Sequence, residues 1–181
     1  MRKKVLVAQS GGPTVAINAS LAGVIAGVAQ SGDYEVFGAA NGIKGVLDES
    51  FINLSEFQED VKNGKESVSE IKISQPDGAF DTWSPKSMID RLAITPSMYL
   101  GSCRYKLPSV EEGAEVYEKI FSILDKNDIG MFFYIGGNDS MDTVNKLSTY
   151  GRSIDSDIRF AGVPKSIDND LPVTDHTPGY G

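Results

Sequence analysis

Short apolar runs alternate with helical stretches along most of the chain. Four runs have the length and composition of strands, namely residues 5–8, 34–38, 131–135 and 158–163. Apolar residues recur at helical spacing over residues 15–29 and 109–126, and another helical stretch follows residue 140. Strands that alternate with helices in this way predict an α/β fold with a mainly parallel sheet flanked by helices.

The two clearer helices carry more detailed expectations. In the first, the residues near helical spacing are Val15, Ala19, Ala22, Ile25 and Ala26. The second begins with Ser109 and Glu112, which have the spacing of a capping box, so we expect the helix to start there. Its apolar stripe consists of Val116, Ile120, Ile123 and Leu124.

The region between these helices is less regular. Residues 41–45 have the composition of a turn. Residues 51–97 are polar in their first part and then interrupted by proline and glycine, which predicts a surface excursion or an insertion. The run at 131–135 is apolar throughout, as is typical of a central parallel strand.

Composition narrows the class of protein. The chain has 181 residues, about the length of one domain or slightly more, and 40% of them are hydrophobic, which is enough for the core of a globular protein. Its net charge is −8. The acidic balance argues against nucleic acid as a partner. No run approaches the roughly 20 apolar residues of a membrane span, and the first residues do not resemble a signal peptide, so we expect a cytoplasmic protein without a membrane partner. The single cysteine, Cys103, excludes an intrachain disulfide.

Candidate chemistry follows three of the strands. Ser10, Gly11 and Gly12 come after the first strand and would let backbone N–H groups approach an anion, although a glycine turn that only joins strand to helix has the same pattern. Asp139, in the glycine turn after residue 135, is either a helix N-cap or a site residue that faces phosphate through a metal. Because parallel strands end at one edge of the sheet, we expect these loops to face one another.

The loop after the last strand contains the most candidate residues. Residues 165–170 contain Lys165, Ser166, Asp168, Asn169 and Asp170 directly after the last strand. Two carboxylates at this spacing with a lysine nearby suit a general base and a partner, although a solvated turn is also compatible. Elsewhere, Arg104 is either a surface residue or a bidentate phosphate ligand. Cys103 is expected to be a buried small side chain and His176 a loop residue.

Four blocks in this order resemble the phosphofructokinase family, and within it the pyrophosphate-dependent branch. The blocks are Ser10-Gly11-Gly12 with Ala16-Ile17-Asn18-Ala19, Leu100-Gly101-Ser102-Cys103-Arg104, Gly136-Gly137-Asn138-Asp139-Ser140, and Val163-Pro164-Lys165-Ser166-Ile167-Asp168-Asn169-Asp170. The resemblance runs from about Lys4 to the last residue, except for about 63–95, which we expect to be an insertion. It implies that residues 1–181 are the incomplete N-terminal, phosphoryl-donor-binding half of a two-lobed fold whose C-terminal sugar-phosphate lobe is absent from this chain. We therefore expect little turnover from this chain alone.

The resemblance also implies an activity, with Mg²⁺ as cofactor and diphosphate and fructose 6-phosphate as substrates. A phosphoryl group would pass from diphosphate to the 1-hydroxyl of the sugar and give fructose 1,6-bisphosphate. Two alternatives remain, an ATP-dependent enzyme of the same family and a non-catalytic regulatory subunit. A homo-oligomer, a dimer or a tetramer, is also implied.

Residue roles are carried over in the same way. The resemblance implies Asp168 as the base, Lys165 as the cation at the transferred phosphoryl group, and Arg104 as a further catalytic residue. Donor binding is implied for Gly11, Gly12, Arg104, Asp139 and Lys165. Binding of the sugar phosphate is implied for Ser166, Ile167, Asp168 and Asp170.

Donor choice and metal binding depend on single positions. Resembling ATP-using enzymes carry glycine at the positions of Asp139 and Lys165, and a side chain at the first would crowd and repel the α-phosphate region of a nucleotide. Asn138 stands where the family usually places a magnesium-binding aspartate. An amide oxygen is a weaker, uncharged ligand, so the resemblance implies Asn138 at the metal site with most of the coordination left to diphosphate, water and a neighbouring carboxylate, Asp139 or Asp168.

Overall fold

The computed structural model describes residues 4–32, 34–63 and 87–180. Strands and helices alternate as the sequence predicts, except that, within the described residues, three helices follow one another between the third and fourth strands. In chain order they are β1 (Lys4–Gln9), α1 (Val15–Gln30), β2 (Glu35–Ala39), α2 (Gly42–Leu47), β3 (Phe51–Asn53), α3 (Ser55–Lys62), α4 (Met88–Ile94), α5 (Ala114–Lys126), β4 (Ile129–Gly136), α6 (Asn138–Ser153) and β5 (Arg159–Pro164).

The strands form one five-stranded sheet in the order β3-β2-β1-β4-β5. All neighbouring pairs are parallel except β2 and β3, which are antiparallel. The predicted mainly parallel sheet is therefore confirmed, and β4 is an inner strand between β1 and β5, as its apolar run indicates. Because β1, β4 and β5 are parallel neighbours, the loops that follow them leave the same edge of the sheet.

Helices cover both faces of this sheet. Alternate residues of a strand point to opposite faces. Leu6 of β1 and Phe132 of β4 therefore pack with α5 on one face, whereas Val5 and Val7 of β1 pack with α1 on the other. The two cores share the strands, so the loop edge rests on a sheet that is fixed from both sides. Among the described residues, no helix is both long enough and apolar enough to cross a membrane.

Helix α1 matches its predicted span and buries some of the apolar residues whose spacing indicates it. Val15 is 60% exposed, and Ala19 is exposed too. The buried positions are Ile17, Asn18, Leu21, Ala22, Ile25, Val28 and Ala29. Of the five apolar residues whose spacing indicates the helix, Ala22 and Ile25 are therefore buried, whereas Val15 and Ala19 are exposed. Apolar residues surround this helix, so spacing alone does not select the face that meets the sheet.

The region around residues 41–62 is more ordered than its composition indicates. The predicted turn at 41–45 is instead the start of α2, which follows Asn41 in the left-handed conformation (φ 59°). The surface excursion expected over 51–97 is wrong for the described residues in it. There α3 and α4 pack against α1 through buried side chains that include Phe57, Ile89 and Leu92. Residues 64–86 of the predicted insertion lie outside the described residues, and the insertion itself stays a prediction.

Helix α5 begins later than predicted. Ser109 and Glu112 do interact, with Ser109 Oγ donating to Glu112 Oε2 at 3.2 Å. They form a turn before the helix, however, and the N-cap is Gly113. The predicted stripe is otherwise confirmed, because Ile120, Ile123 and Leu124 are buried and Val116 packs against the same core.

Candidate functional site

A cleft of about 710 Å³ opens at the edge of the sheet where β1 and β4 end. It is lined by the loop after β1, by residues 102–106, by Tyr134 of β4 and by the beginning of α6. The lining residues are Ser10, Gly11, Gly12, Pro13, Ser102, Cys103, Arg104, Tyr105, Lys106, Tyr134, Gly137, Asn138, Asp139, Ser140 and Thr143. Five of the predicted site residues are thus brought together, namely Gly11, Gly12, Arg104, Asn138 and Asp139.

Glycine allows the loop after β1 and the turn between β4 and α6 to lie close together. Gly11 has φ +88°, a conformation that side-chain-bearing residues rarely adopt, and a Cβ there would lie 3.4 Å from the backbone nitrogen of Gly137. A Cβ on Gly136 would lie 2.7 Å from the carbonyl oxygen of Ser10. The backbone of both loops is therefore exposed to the cleft without intervening side chains.

Two serines attach the Arg104 segment to the first loop. Ser10 Oγ donates to the carbonyl oxygen of Cys103 at 3.0 Å, and Ser102 Oγ donates to that of Gly11 at 3.1 Å. These bonds hold exposed Arg104 on the wall of the cleft that also contains Gly11 and Gly12. Cys103 is partly buried and packs against the core, as expected of a small structural side chain.

A buried polar network supports this arrangement from behind. Gln9 and Asn18 are 0% and 1% exposed. Gln9 Nε2 donates to Asn18 Oδ1 at 3.1 Å, and Gln9 Oε1 accepts the N–H of Leu100 at 2.9 Å. Asn18 Oδ1 also accepts the N–H of Tyr99 at 2.9 Å. The network fixes the start of the Arg104 segment to β1 and α1, and the sequence signal that could have revealed it is two polar residues inside apolar runs.

The beginning of α6 faces the cleft without a side-chain cap. The N-cap is Gly137, which has no side chain to accept the first N–H groups of the helix. Asp139 is therefore not the N-cap, one of its two expected roles. Its carboxylate instead lies 3.8 Å from Lys106 Nζ, in a pair whose side chains are 83% and 73% exposed. Lys106, whose importance sequence reasoning missed, adds a second cation to the cleft beside Arg104.

Tyr134 forms part of the cleft lining and was also missed. Its hydroxyl oxygen accepts the N–H of Ile43 at 3.2 Å. Burial raises the pKa of Tyr134 to about 12, so the phenol stays neutral at physiological pH. It contributes a fixed hydroxyl group to the site and no charge.

Residues 165–170, which we call the β5 loop, lie beside the first loop. Lys165 is only 6% exposed, and its Nζ donates to the carbonyl oxygen of Gly12 at 3.0 Å. The ammonium group therefore lies behind the loop that lines the cleft. Ser166, Ile167, Asp168 and Asp170 are not among the lining residues of the cleft, and Asp168 and Ile167 are exposed.

Asp170 is the most constrained carboxylate of the β5 loop. Its Oδ1 accepts a short hydrogen bond from Ser166 Oγ, and its Oδ2 accepts one from Asn138 Nδ2 at 3.3 Å. These two donors, that of Ser166 first, hold the pKa of Asp170 below its usual value. Asp170 is thus ionised at physiological pH, and it connects the β5 loop to the beginning of α6.

Residues 174–180 pack over the β5 loop. Thr177 is fully buried, its Oγ1 donates to the carbonyl oxygen of Ser166 at 2.9 Å, and its N–H donates to Asn169 Oδ1 at 2.9 Å. His176 contacts the ring of Tyr180 with centroids 5.3 Å apart, which agrees with its expected place in a loop. These hydrogen bonds attach residues 174–180 to the β5 loop, which lies at the surface.

Comparison with known proteins places this arrangement in a family. The chain matches the family Phosphofructokinase over residues 4–181. It is 42% identical over 176 residues to pyrophosphate–fructose 6-phosphate 1-phosphotransferase of Xanthomonas campestris, covering 97% of this chain and 35% of that protein. It is 32% identical over 180 residues to ATP-dependent 6-phosphofructokinase of Aliivibrio salmonicida, covering 99% of this chain and 44% of that protein.

A solved structure shows the same fold. Pyrophosphate-dependent phosphofructokinase of Nitrosospira multiformis superposes with a TM-score of 0.73 at 38% identity, covering 99% of this chain and 38% of that one. The chain thus spans little more than a third of the length of the pyrophosphate-dependent relatives named here. The family match extends over nearly every residue and includes the loops after β1, β4 and β5. The chain belongs to the phosphofructokinase family.

Proposed function

We propose that this chain forms the donor-binding part of a diphosphate-dependent 6-phosphofructokinase. The enzyme transfers a phosphoryl group from diphosphate to the 1-hydroxyl of fructose 6-phosphate. The observation that carries the proposal is the convergence of four segments. Gly11, Gly12, Arg104 and Asp139 line one cleft, and Nζ of Lys165 in the β5 loop lies 3.0 Å from the Gly12 carbonyl oxygen behind it. The similarity to relatives named for this reaction supports the choice of substrates.

The cleft suits a compact anion of high charge. The chain as a whole carries a net charge of −8, so an anion must be held by local donors. Those donors are the uncapped beginning of α6, the backbone of Gly11 and Gly12, and the guanidinium of Arg104. Asp139 lines the same cleft and repels a donor that extends towards it, which favours diphosphate over a nucleotide.

The β5 loop supplies the chemistry. Asp168 accepts the proton of the sugar 1-hydroxyl as the hydroxyl oxygen attacks the nearer phosphorus of diphosphate, and the bond from that phosphorus to the bridging oxygen breaks to release phosphate. Lys165 stabilises the charge that develops on the transferred group, since phosphoryl transfer depends largely on positioning and charge neutralisation. Ser166, Ile167 and Asp170 contact the sugar phosphate, and Asp170 holds the loop.

Magnesium fits this site as an ion carried largely by the substrate. Among the residues that the structure describes, no three His, Cys, Asp or Glu side chains form a group that could hold a metal ion. Mg²⁺ usually takes one or two protein ligands and completes its shell with phosphate oxygens and water. Asn138 would supply its Oδ1, with Asp139 or Asp168 as the second ligand. The bound ion would neutralise charge on diphosphate.

An ATP-dependent enzyme is the second candidate, because a neighbouring cavity could take a nucleoside. This cavity of about 570 Å³ shares Ser102, Cys103, Arg104 and Tyr105 with the cleft. A non-catalytic regulatory subunit is disfavoured, because it needs neither the base Asp168 nor the cation Lys165. We further propose a cytoplasmic homo-oligomer, a dimer or a tetramer, that binds neither nucleic acid nor membranes.

The deciding experiment measures fructose 1,6-bisphosphate formation by the full-length enzyme with Mg²⁺ and either diphosphate or ATP. We expect product with diphosphate and none with ATP. Product with ATP alone would establish the second candidate. Absence of product with both donors would contradict the proposal and favour a regulatory subunit.

A further inference from the structure

We propose that Asn138 is a positioning residue that holds the β5 loop through Asp170. Its amide Nδ2 donates to Asp170 Oδ2 at 3.3 Å. Asn138 is the first residue of α6 and lines the cleft, whereas Asp170 ends the β5 loop. The bond is thus a direct side-chain connection between the donor side and the loop of the proposed base. The inference rests on the proposed function and gives Asn138 a role that is separate from metal binding.

The opposite end of the connection is firmly anchored. Ser166 is 7% exposed, and its backbone N–H donates to the carbonyl oxygen of Pro178 at 2.9 Å. Its hydroxyl donates to Asp170 Oδ1, and the N–H of Asp170 lies 3.4 Å from the same hydroxyl oxygen. Asp170 is therefore attached to a buried point through one carboxylate oxygen and to α6 through the other.

The proposed base lies between these two attachments. Asp168 is exposed, so packing alone does not fix its carboxylate. The loop around it is held by Ser166 on one side and by Asp170 on the other. Among the contacts of the described residues, release of the Asn138 bond would leave the C-terminal side of the loop attached through Ser166 and Asn169. The position of Asp168 relative to a donor on α6 would then vary more.

The choice between an amide and a carboxylate at position 138 distinguishes a role in holding Asp170 from a role that depends on charge alone. An ionised carboxylate at position 138 has no N–H to donate and would repel Asp170. The beginning of a helix favours negative charge through the helix dipole. A carboxylate is also the better magnesium ligand. Helix and metal therefore both favour aspartate at this position, and only the bond to Asp170 requires the amide.

The test is a double-mutant cycle in the full-length enzyme with Asn138→Asp, Asp170→Asn and both changes together. We expect Asn138→Asp to lower kcat about tenfold when Asp170 is present, since a charged hydrogen bond is replaced by repulsion. We expect the same change to cost less than about twofold when residue 170 is asparagine, since an amide there can donate to the new carboxylate. The cycle separates this coupling from any contact that Asp170 itself makes with substrate.

The matched control is Asn145→Asp, which adds the same charge to an exposed position two turns along α6. It should leave kcat unchanged. If Asn138→Asp lowers kcat equally in both backgrounds, the coupling is absent and the proposal fails. If it raises activity and the apparent affinity for Mg²⁺ together, Asn138 acts through the metal alone and the proposal also fails.

A second measurement needs neither metal nor turnover. Hydrogen exchange of the amides in the β5 loop should become several-fold faster in Asn138→Asp and return towards the wild-type rate in the double variant. Unchanged exchange would overturn the proposal. If the wild-type enzyme forms no product with either donor, the proposed function fails, while the exchange result still decides whether Asn138 holds the loop.

Discussion

The rim of the cleft and the β5 loop hold their charged side chains in different ways. The rim, consisting of Arg104, Lys106 and Asp139, is exposed, and the ion pair between Lys106 and Asp139 joins atoms 3.8 Å apart. In the β5 loop, Lys165 is 6% exposed and donates to a backbone carbonyl, and Ser166 is bound on both its backbone and its side chain. The charged side chains of the rim are exposed to solvent, whereas Lys165 in the β5 loop is buried and held by a hydrogen bond.

The difference indicates a division of labour. Exposed charges can rearrange around an arriving anion, and they contribute little to folding stability, because solvent screens them. Fixed charges lose little entropy when the reaction begins, which is what stabilisation of a transition state requires. Substitutions in the rim should therefore alter donor binding, whereas substitutions in the β5 loop should alter kcat.

The largest effect is expected for Asp168→Asn. Loss of a general base should lower kcat by about 10²–10⁴-fold, while calorimetry should still detect diphosphate binding, because Asp168 does not line the cleft. The exposed Asp155→Asn serves as the matched control. Unchanged turnover would refute the assignment of the base.

Lys165→Met is expected to rank next. The substitution keeps an unbranched side chain of similar length and removes the charge, so kcat should fall by about 10²–10³-fold and KM for diphosphate should change much less. Loss of the bond to Gly12 should lower the free energy of unfolding by about 1 kcal/mol, measurable by denaturant titration. A variant that changed only KM would show that Lys165 belongs functionally to the rim.

Arg104→Lys should affect binding more than chemistry. The charge remains, but the two-pronged contact to phosphate is lost, so KM for diphosphate should rise about tenfold. Steady-state kinetics with Arg152→Lys, at the exposed far end of α6, provides the comparison. An equal fall in kcat with no change in KM would contradict the division between rim and loop.

Asp139→Gly combined with Lys165→Gly tests the crowding explanation of donor choice. Removal of both side chains should increase the affinity for ATP at least about tenfold, or 1.4 kcal/mol, with part of the nucleotide in the neighbouring cavity. Calorimetric titration of ATP measures the change, and thermal unfolding checks that the variant folds after losing the buried lysine. A folded variant without nucleotide binding would rule out crowding as the reason.

The smallest effect is expected for Lys106→Ala. Because the pair with Asp139 is largely exposed, its loss should change the free energy of unfolding by less than about 1 kcal/mol. Denaturant titration at low and high salt measures this effect. A larger, salt-insensitive loss would show that the rim is as fixed as the β5 loop.

Much of the fold follows from local patterns. The apolar runs of the central strands and the periodicity of the long helices predict their positions to within a few residues, because burial between two helical layers requires apolar side chains there. Short elements were harder to predict from the sequence. Helix α2 and strand β3 are stabilised by their neighbours in the fold. Asn41 precedes α2 in a left-handed conformation, and the composition of residues 41–45 does not distinguish this helix start from a turn.

Part of the site could also be predicted from the sequence. The loops after β1, β4 and β5 could be placed together from strand polarity alone, and the resemblance selected their residues. The distant residues that these side chains contact could not be predicted from the sequence. Asp139 pairs with Lys106, which lies 33 positions earlier, and Lys165 bonds to Gly12, which lies 153 positions earlier.

The sequence by itself determined the alternation of strands and helices, the glycine-rich turns and the identity of the polar side chains at the strand ends. These depend on the conformational preferences and polarity of residues that are close along the chain. The tertiary structure alone decided that Asp139 faces Lys106, that Lys165 is buried behind Gly12, and that Asn138 bonds to Asp170. Such contacts depend on strand order and loop geometry, because distant residues meet only after the sheet has formed.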